Sequence, residues 1–262
     1  MKRTPIPYNP DLFSQTFHPL LRDAHIYDSS SSPDARVYFI QQGTAGYYLK
    51  TSPKGMLARE TQLNRYFHSL KLGPEVLAYE SSHEQDWMLT RQIPGEDCTH
   101  AQYLANPNRL ADTIAGLLRA LHELSPAGCP VNHTESYIQA VQQNHRLGIF
   151  DPELFPIGWG TPSLEEAHRI AESALPCLKT DTLLHGDYCL PNIMLNNWQF
   201  TGFIDLGNGG VGDRHIDLFW GAWTLCFNLH TDRYCNRFLD AYGRDAFDPE
   251  LLRAVAAFEA FL

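Results

Sequence analysis

The stretch His185-Gly186-Asp187-Tyr188-Cys189-Leu190-Pro191-Asn192, followed by Phe203-Ile204-Asp205-Leu206-Gly207, decides how the rest of the chain reads. Each piece is a turn set among short apolar runs. Thr182-Leu183-Leu184-His185 precedes the first turn, Ile193-Met194-Leu195 follows it, and Phe200-Thr201-Gly202-Phe203-Ile204 leads into the second, all with the composition of short strands. Taken singly, an Asp in a turn is ordinarily a cap, and an Asn beside Pro is ordinarily a loop residue. The three side chains Asp187, Asn192 and Asp205, carried together on turns that interrupt strands, form a set that this ordinary reading does not explain.

Phosphoryl transfer requires such a set. A carboxylate positions the attacking hydroxyl and takes its proton, and oxygen ligands hold Mg²⁺ on the nucleotide phosphates. In protein kinases the catalytic-loop Asp precedes a metal-binding Asn by five positions, and a second metal-binding Asp opens a D-F-G turn. Asp187, Asn192 and Asp205 reproduce that order and spacing. Two departures separate the chain from protein kinases. Gly186 stands in place of the Arg of H-R-D, and too few residues follow Asp205-Leu206-Gly207 to hold an activation segment or an A-P-E motif. The room that is lacking lies between Gly207 and the next helix, which only a handful of residues separate, so a small acceptor is favoured over a protein.

Working outward, the first third reads as strands around one helix. Arg36–Ile40 and Gly46–Lys50 are β-rich runs across a short Gly-containing turn, which predicts a hairpin. Met56 to Leu70 places Leu63, Phe67 and Leu70 at helical spacing, and two further short strands are expected at Val76–Tyr79 and Trp87–Thr90 before the breaker Pro94-Gly95. Beyond Cys98 the pattern turns helical. Asn106-Pro107 reads as a cap with a first-turn proline, followed by the stripe Leu110, Ile114, Leu117, Leu118 and Leu121, and Ser163-Leu164-Glu165-Glu166 reads as a capping box. Helices resume near Asp213.

The 262 residues carry 20 Lys+Arg and 30 Asp+Glu, a formal charge of −10, which disfavours nucleic acid or an anionic membrane as a partner. Residues 1–96 hold 10 of each sign, and residues 97–262 hold 10 basic against 20 acidic, so the excess lies in the second segment, as suits a cationic acceptor. The N-terminus lacks an apolar signal core, and no run approaches a membrane span, so a cytoplasmic location is expected. The six cysteines show no C-x-x-C spacing and are expected to be reduced structural thiols.

The chain resembles the aminoglycoside 3′-phosphotransferases, kinase-like small-molecule phosphotransferases. The resemblance rests on His185-Gly186-Asp187 with Cys189-Leu190-Pro191-Asn192-Ile193-Met194, on Gly202–Gly207, and on Gly210-Val211-Gly212-Asp213-Arg214 with Asp217. It extends upstream through Asp86-Trp87, Pro94–Asp97 and Leu118–His122. It implies an α+β, bilobal protein-kinase-like fold, with a nucleotide-binding lobe over residues 1–96 and a catalytic and acceptor-binding lobe over 97–262. It also implies that Lys50, on the third strand, contacts the ATP phosphates and that Glu60 holds that lysine. Arg91 and Ile93 fall where a hinge backbone meets the adenine edge, and Ser32 falls in a short phosphate-covering loop. Tyr48, two residues before Lys50 and so on the same strand face, is a candidate to stack on adenine, with a core aromatic as the alternative.

The expected activity is ATP- and Mg²⁺-dependent O-phosphorylation of a small cationic acceptor, first an aminoglycoside, with Asp187 as base and Asn192 and Asp205 as metal ligands. GTP stays open as the donor, and no obligate protein partner is evident. Acceptor contacts are expected from Asp151, Glu153, Asn208 and Glu259. The helix after Asp217 reads Leu218–Phe227 without a charged residue, where the family usually places charged contacts. Its aromatic residues are either core or a flat acceptor surface. Two rival readings are a kinase of another small alcohol (amino alcohol, sugar or macrolide) and a nucleotide-binding protein without turnover. A zinc hydrolase is a more distant one.

Overall fold

The computed structural model describes residues 3–30, 35–155 and 162–262, so Ser32, Ile157 and Trp159 lie outside the described residues. The chain divides into one unit of residues 1–95 with 201–207 and another of residues 96–200 with 208–262.

The first unit is built on six antiparallel strands. These are β1 (Thr4–Ile6), β2 (His25–Asp28), β3 (Arg36–Gln42), β4 (Ala45–Pro53), β5 (Val76–Ser81) and β6 (Gln85–Arg91), in the order β1-β2-β3-β4-β6-β5. Helix α1 (His18–Leu21) precedes β2, and α2 (Ala58–Ser69) joins β4 to β5. The expected hairpin forms with Gln42 paired to Ala45. The period-two alternation of side chains then assigns the faces. Tyr38, Ile40, Leu49, Trp87 and Leu89 turn to one side and bury against Phe13, Phe17, Leu21 and Ile26. Tyr48, Lys50 and Met88 turn to the other, where α2 packs and Thr61 Oγ1 donates to Met88 Sδ at 3.3 Å.

Strands β1 and β2 escape a reading by pattern, because three residues that include a proline and four that begin with His and end with Asp carry too little periodicity. Their presence makes the Lys50 strand the fourth in chain order, not the third.

The second unit is mostly helical. It holds β7 (Glu96–Asp97), α3 (Ala101–Leu104), α4 (Pro107–His122), α5 (His133–Leu147), α6 (Leu164–Ala174), β8 (Thr182–Leu184) and β9 (Ile193–Asn196). Strand β10 (Gln199–Phe203), where the chain returns to the first unit, precedes β11 (Gly210–Gly212), α7 (His215–Leu229), α8 (Arg233–Tyr242) and α9 (Pro249–Glu259). Strand β7 pairs with β9, and β8 with β11, both antiparallel.

Helix α4 is the centre of this unit. Leu110, Ile114, Leu118 and Leu121 are buried along its predicted stripe, each side chain contributing roughly 1.5–3 kcal/mol by removal from water. Pro107 occupies its first turn as expected, but Asn106 makes no capping bond, because its Nδ2 donates instead to Gln102 O at 3.1 Å. Ser163 does cap α6, accepting from the Glu166 N–H at 3.2 Å. Four cysteines are free thiols, whereas Cys226 on α7 and Cys235 on α8 form a disulfide, against the expectation of six reduced thiols. The α7–α8 hairpin brings these residues together across nine positions, a separation with no signature in sequence.

Candidate active site

In the first unit the charged cluster is Lys50, Glu60 and Asp205. Lys50 Nζ lies 2.8 Å from Glu60 Oε2 and 3.1 Å from Asp205 Oδ1. Lys50 comes from β4, Glu60 from the first turn of α2, and Asp205 from the turn after β10. The start of α2 is fixed by Asp86, which the resemblance includes without a task. Buried Asp86 on β6 accepts the Leu57 N–H at 3.0 Å, the Ser81 hydroxyl at 2.7 Å and the Tyr79 hydroxyl at 3.1 Å. Those donors outweigh its burial and hold its carboxyl below the usual range.

Burial works against the Lys50 charge, yet the Glu60 and Asp205 carboxylates together overcome it and raise the ammonium above its ordinary value. Burial also pushes the Glu60 carboxyl up, with Lys50 pulling the other way. Asp205 sits at φ +57°, a left-handed conformation uncommon for a non-glycine residue, and its side chain is 54% exposed. Two of the three ammonium donors of Lys50 are thus engaged, and the exposed carboxylate beside it is a hard oxygen donor of the kind Mg²⁺ takes.

In the second unit the cluster is the turn after β8. Asn192 Nδ2 donates to Asp187 Oδ2 at 2.9 Å and to Asp187 O at 3.0 Å, closing the five-residue interval seen in sequence. Those two bonds leave Asn192 Oδ1, the oxygen a hard cation requires, outside the pair. Gly186 explains why no Arg stands there. At φ +84°, an added Cβ would lie 1.9 Å from the backbone oxygen of Asn208. Tyr188 OH donates to Ile114 O at 2.7 Å and so fixes the turn to α4.

The support beneath this turn is Asp217, which sequence reading included in a motif without assigning a task. Fully buried on α7, it accepts the His185 N–H and the Gly186 N–H, each at 2.8 Å, and contacts His122 Nε2 at 3.2 Å. His122 Nδ1 lies 2.9 Å from Tyr242 OH. Burial lowers the His122 pKa and so keeps the ring neutral, which assigns Nε2 as donor to Asp217 and Nδ1 as acceptor from Tyr242. Burial opposes the Asp217 charge, but the hydrogen bonds from His122 and the His185 N–H outweigh it and depress its pKa.

The remaining expected residues have other surroundings. Tyr48 OH accepts from Arg3 Nη2 at 2.8 Å, and its ring lies 5.2 Å from Phe39, whose face Arg3 covers at 3.4 Å. The Arg91 N–H donates to Glu75 O at 3.0 Å and extends the sheet. Ile93 is buried and packs on Gly202. Asp151 caps the short turn Pro152–Leu154 through the Glu153 N–H at 2.9 Å, and its own N–H donates to Ala260 O at 2.7 Å. The Glu153 and Asn208 side chains are exposed. Glu259, expected as an acceptor contact, is 2% exposed, with Tyr137 OH donating to Oε1 at 2.7 Å and Trp220 Nε1 to Oε2 at 3.1 Å.

An antiparallel sheet with one helix, carrying a lysine between two carboxylates, and a helical unit, carrying an Asp–Asn turn held by a buried Asp, together define a kinase-like phosphotransferase. Residues 30–258 match the phosphotransferase enzyme family, and the chain belongs to that family. It is 48% identical over 254 residues to a probable aminoglycoside 3′-phosphotransferase of Lactococcus lactis, covering 97% of this chain and 96% of that protein. It is 28% identical over 190 residues to an aminoglycoside 3′-phosphotransferase of Niallia circulans, covering 72% of each. Among solved structures, an aminoglycoside 3′-phosphotransferase of type VIII superposes with a TM-score of 0.76 at 22% identity, over 95% of this chain and all of that one. An aminoglycoside phosphotransferase from Streptomyces rimosus, with ADP and streptomycin bound, superposes with a TM-score of 0.74 at 23% identity, over 94% and 97% of the two chains. Both share the α+β kinase-like fold. Among the described residues no helix is long and apolar enough to cross a membrane.

Proposed function

We propose that the protein transfers the γ-phosphate of ATP to a hydroxyl group of an aminoglycoside. The observation that carries the reading is the Lys50–Glu60–Asp205 cluster, a buried-side ion pair with one exposed carboxylate, formed by residues up to 155 positions apart. An ammonium fixed in this way has the charge and rigidity to orient a polyphosphate. The acceptor class follows from the relatives' names and from the −10 charge, which suits a polycation.

In this reading Asp187 accepts the proton of the acceptor hydroxyl as its oxygen bonds to the γ-phosphorus and the bond to the β-phosphate oxygen breaks, releasing ADP. Asn192 holds the Asp187 carboxylate in place, and Asp217 holds the turn that carries both. Asn192 and Asp205 would each offer an oxygen ligand to Mg²⁺, which when bound would offset phosphate charge. ATP as the donor assigns the reaction to the cytoplasm.

The test is transfer of labelled γ-phosphate to kanamycin and neomycin by the purified protein with Mg²⁺. Phosphorylated antibiotic with stoichiometric ADP is expected. ATP binding with no transfer to any aminoglycoside would sink the acceptor assignment.

A further inference from the structure

Helix α7 presents three faces within the second unit. Asp217 and Thr224 turn to the catalytic turn, Thr224 Oγ1 accepting the Leu190 N–H at 3.1 Å. Gly221 meets α8 so closely that an added Cβ would lie 2.4 Å from Phe238 Cζ. The third face carries Trp220, Trp223 and Phe227 as a continuous ladder. The Trp220 and Trp223 rings meet edge to face at 5.4 Å, and Trp223 stacks on Phe227 at 4.8 Å with 12° between planes. At about 100° per residue, this ladder is rotated by roughly 80° from the Asp217–Thr224 line, so it borders the catalytic turn instead of backing away from it.

The two ends of the ladder differ. At the inner end, Trp220 Nε1 donates to Glu259, whose other oxygen accepts from Tyr137 on α5, so one buried carboxyl ties α5, α7 and α9 together. At the outer end, Phe227 is 61% exposed. Core packing accounts for the inner end alone. A rigid, stacked aromatic row that runs out to solvent, in a segment with twice as many acidic as basic residues, has the chemistry to receive a cationic ring compound.

We propose that Trp220, Trp223 and Phe227 form a stacking platform that selects the acceptor, with Glu259 as the positioning residue that fixes its inner end. The inference rests on the aminoglycoside reading above. Amino-sugar rings offer C–H faces and ammonium groups to the indole and phenyl faces. Such contacts depend little on where around the ring each amine sits. An acceptor surface of this kind ranks aminoglycosides by ring stacking as well as by charge.

The experiment is steady-state kinetics with kanamycin as the varied acceptor. Phe227→Ala, at an exposed site, is expected to raise the kanamycin KM by about 3- to 10-fold, and Trp223→Ala by about 10-fold or more. Both should leave kcat and the ATP KM within about twofold, and Trp223→Phe should recover most of the loss. Glu259→Met, which removes the acceptor of the Trp220 N–H, should raise the kanamycin KM, whereas Glu259→Gln, which keeps one, should not. Kanamycin KM values unchanged in both Phe227→Ala and Trp223→Ala would overturn the platform while leaving the aminoglycoside reading intact. So would a parallel loss of kcat and ATP affinity, which would assign these rings to packing. A wild-type protein that transfers phosphate to no aminoglycoside would remove both the reading and the platform.

Discussion

The two polar clusters to which the proposed chemistry is assigned are held by different forces. Lys50, Glu60 and Asp205 form a charged knot, in which one ammonium compensates two carboxylates. Asp187 and Asn192 belong to a hydrogen-bonded turn, whose backbone N–H groups end on Asp217 and whose support continues through His122 to Tyr242. A polyphosphate site must fix charge, so an ion pair is the appropriate device. A site that receives a proton must fix one atom. The neutral Asn192 amide donates to the Asp187 carboxylate and to the Asp187 backbone oxygen, with the permanent charge of Asp217 placed one layer below.

The hardest break of this contrast is Asp187→Ala. It removes the proton acceptor but touches neither the ion-pair knot nor Asp217. The expected result is a fall in kcat of about 10²–10⁴, with the ATP KM and melting temperature near wild type. A kcat within tenfold of wild type would mean that another group takes the proton.

Lys50→Met attacks the other cluster. It leaves the largely buried Glu60 carboxylate without its counter-charge, a loss of about 3–5 kcal/mol when one member of a buried pair is removed. The variant should show both a lower melting temperature and a raised ATP KM, with kanamycin binding less affected. Stability unchanged within error would show that solvent already compensates Glu60.

Asp217→Asn keeps the shape and removes the charge. An amide has one acceptor oxygen for the three donors now shared by two carboxylate oxygens, so a donor must face a donor. A cost of about 2–4 kcal/mol is expected, together with reduced kcat and an ATP KM close to wild type. If the ATP KM moved as far as kcat, the two clusters would not be separately held.

The comparison also shows what was legible in sequence. Asp187, Asn192 and Asp205 could be singled out because the roles proposed for them depend on local spacing along turns, and turns with short apolar flanks leave a pattern. Lys50 and Glu60 could be paired because a strand and the next helix bring them to one face. Asp217, His122 and Tyr242 could not be joined, since a buried Asp and a buried His look like any others until residues 95 and 120 positions apart are seen to meet. Nor could the surroundings of Glu259 be read. The resemblance places it as an acceptor contact, and only the burial of α9 turns it inward, onto Tyr137 and Trp220.

That burial leads to the most gradual effect, spread over pH, and the one most specific to the second cluster. Burial pushes the Glu259 carboxyl up to about 8 from an ordinary 4.5, against the bonds from Tyr137 and Trp220 and with the charges of Asp187 and Asp217 adding to the rise. Between pH 4.5 and about 8 the folded protein therefore holds a proton that the unfolded chain has released, so this group's stabilisation is lost as pH rises through that window. Its slope is at most about 1.4 kcal/mol per pH unit. His122 acts in the opposite sense, because its lowered pKa favours the folded state as pH rises towards 6.5. Glu60, whose carboxyl burial also raises above 4.5, acts in the same sense as Glu259, so the wild-type melting curve alone mixes all three. The Lys50 and Asp217 shifts lie outside the window, one at alkaline and one at acid pH. The difference between wild type and Glu259→Gln cancels His122 and Glu60 and isolates the carboxyl. From pH 5 to pH 8 the wild type should lose melting temperature relative to Glu259→Gln, whose amide stays neutral throughout. Parallel curves across that range would show that Glu259 is already ionised at pH 5, and that the inner end of the aromatic ladder is anchored by a charge and not by a neutral acid.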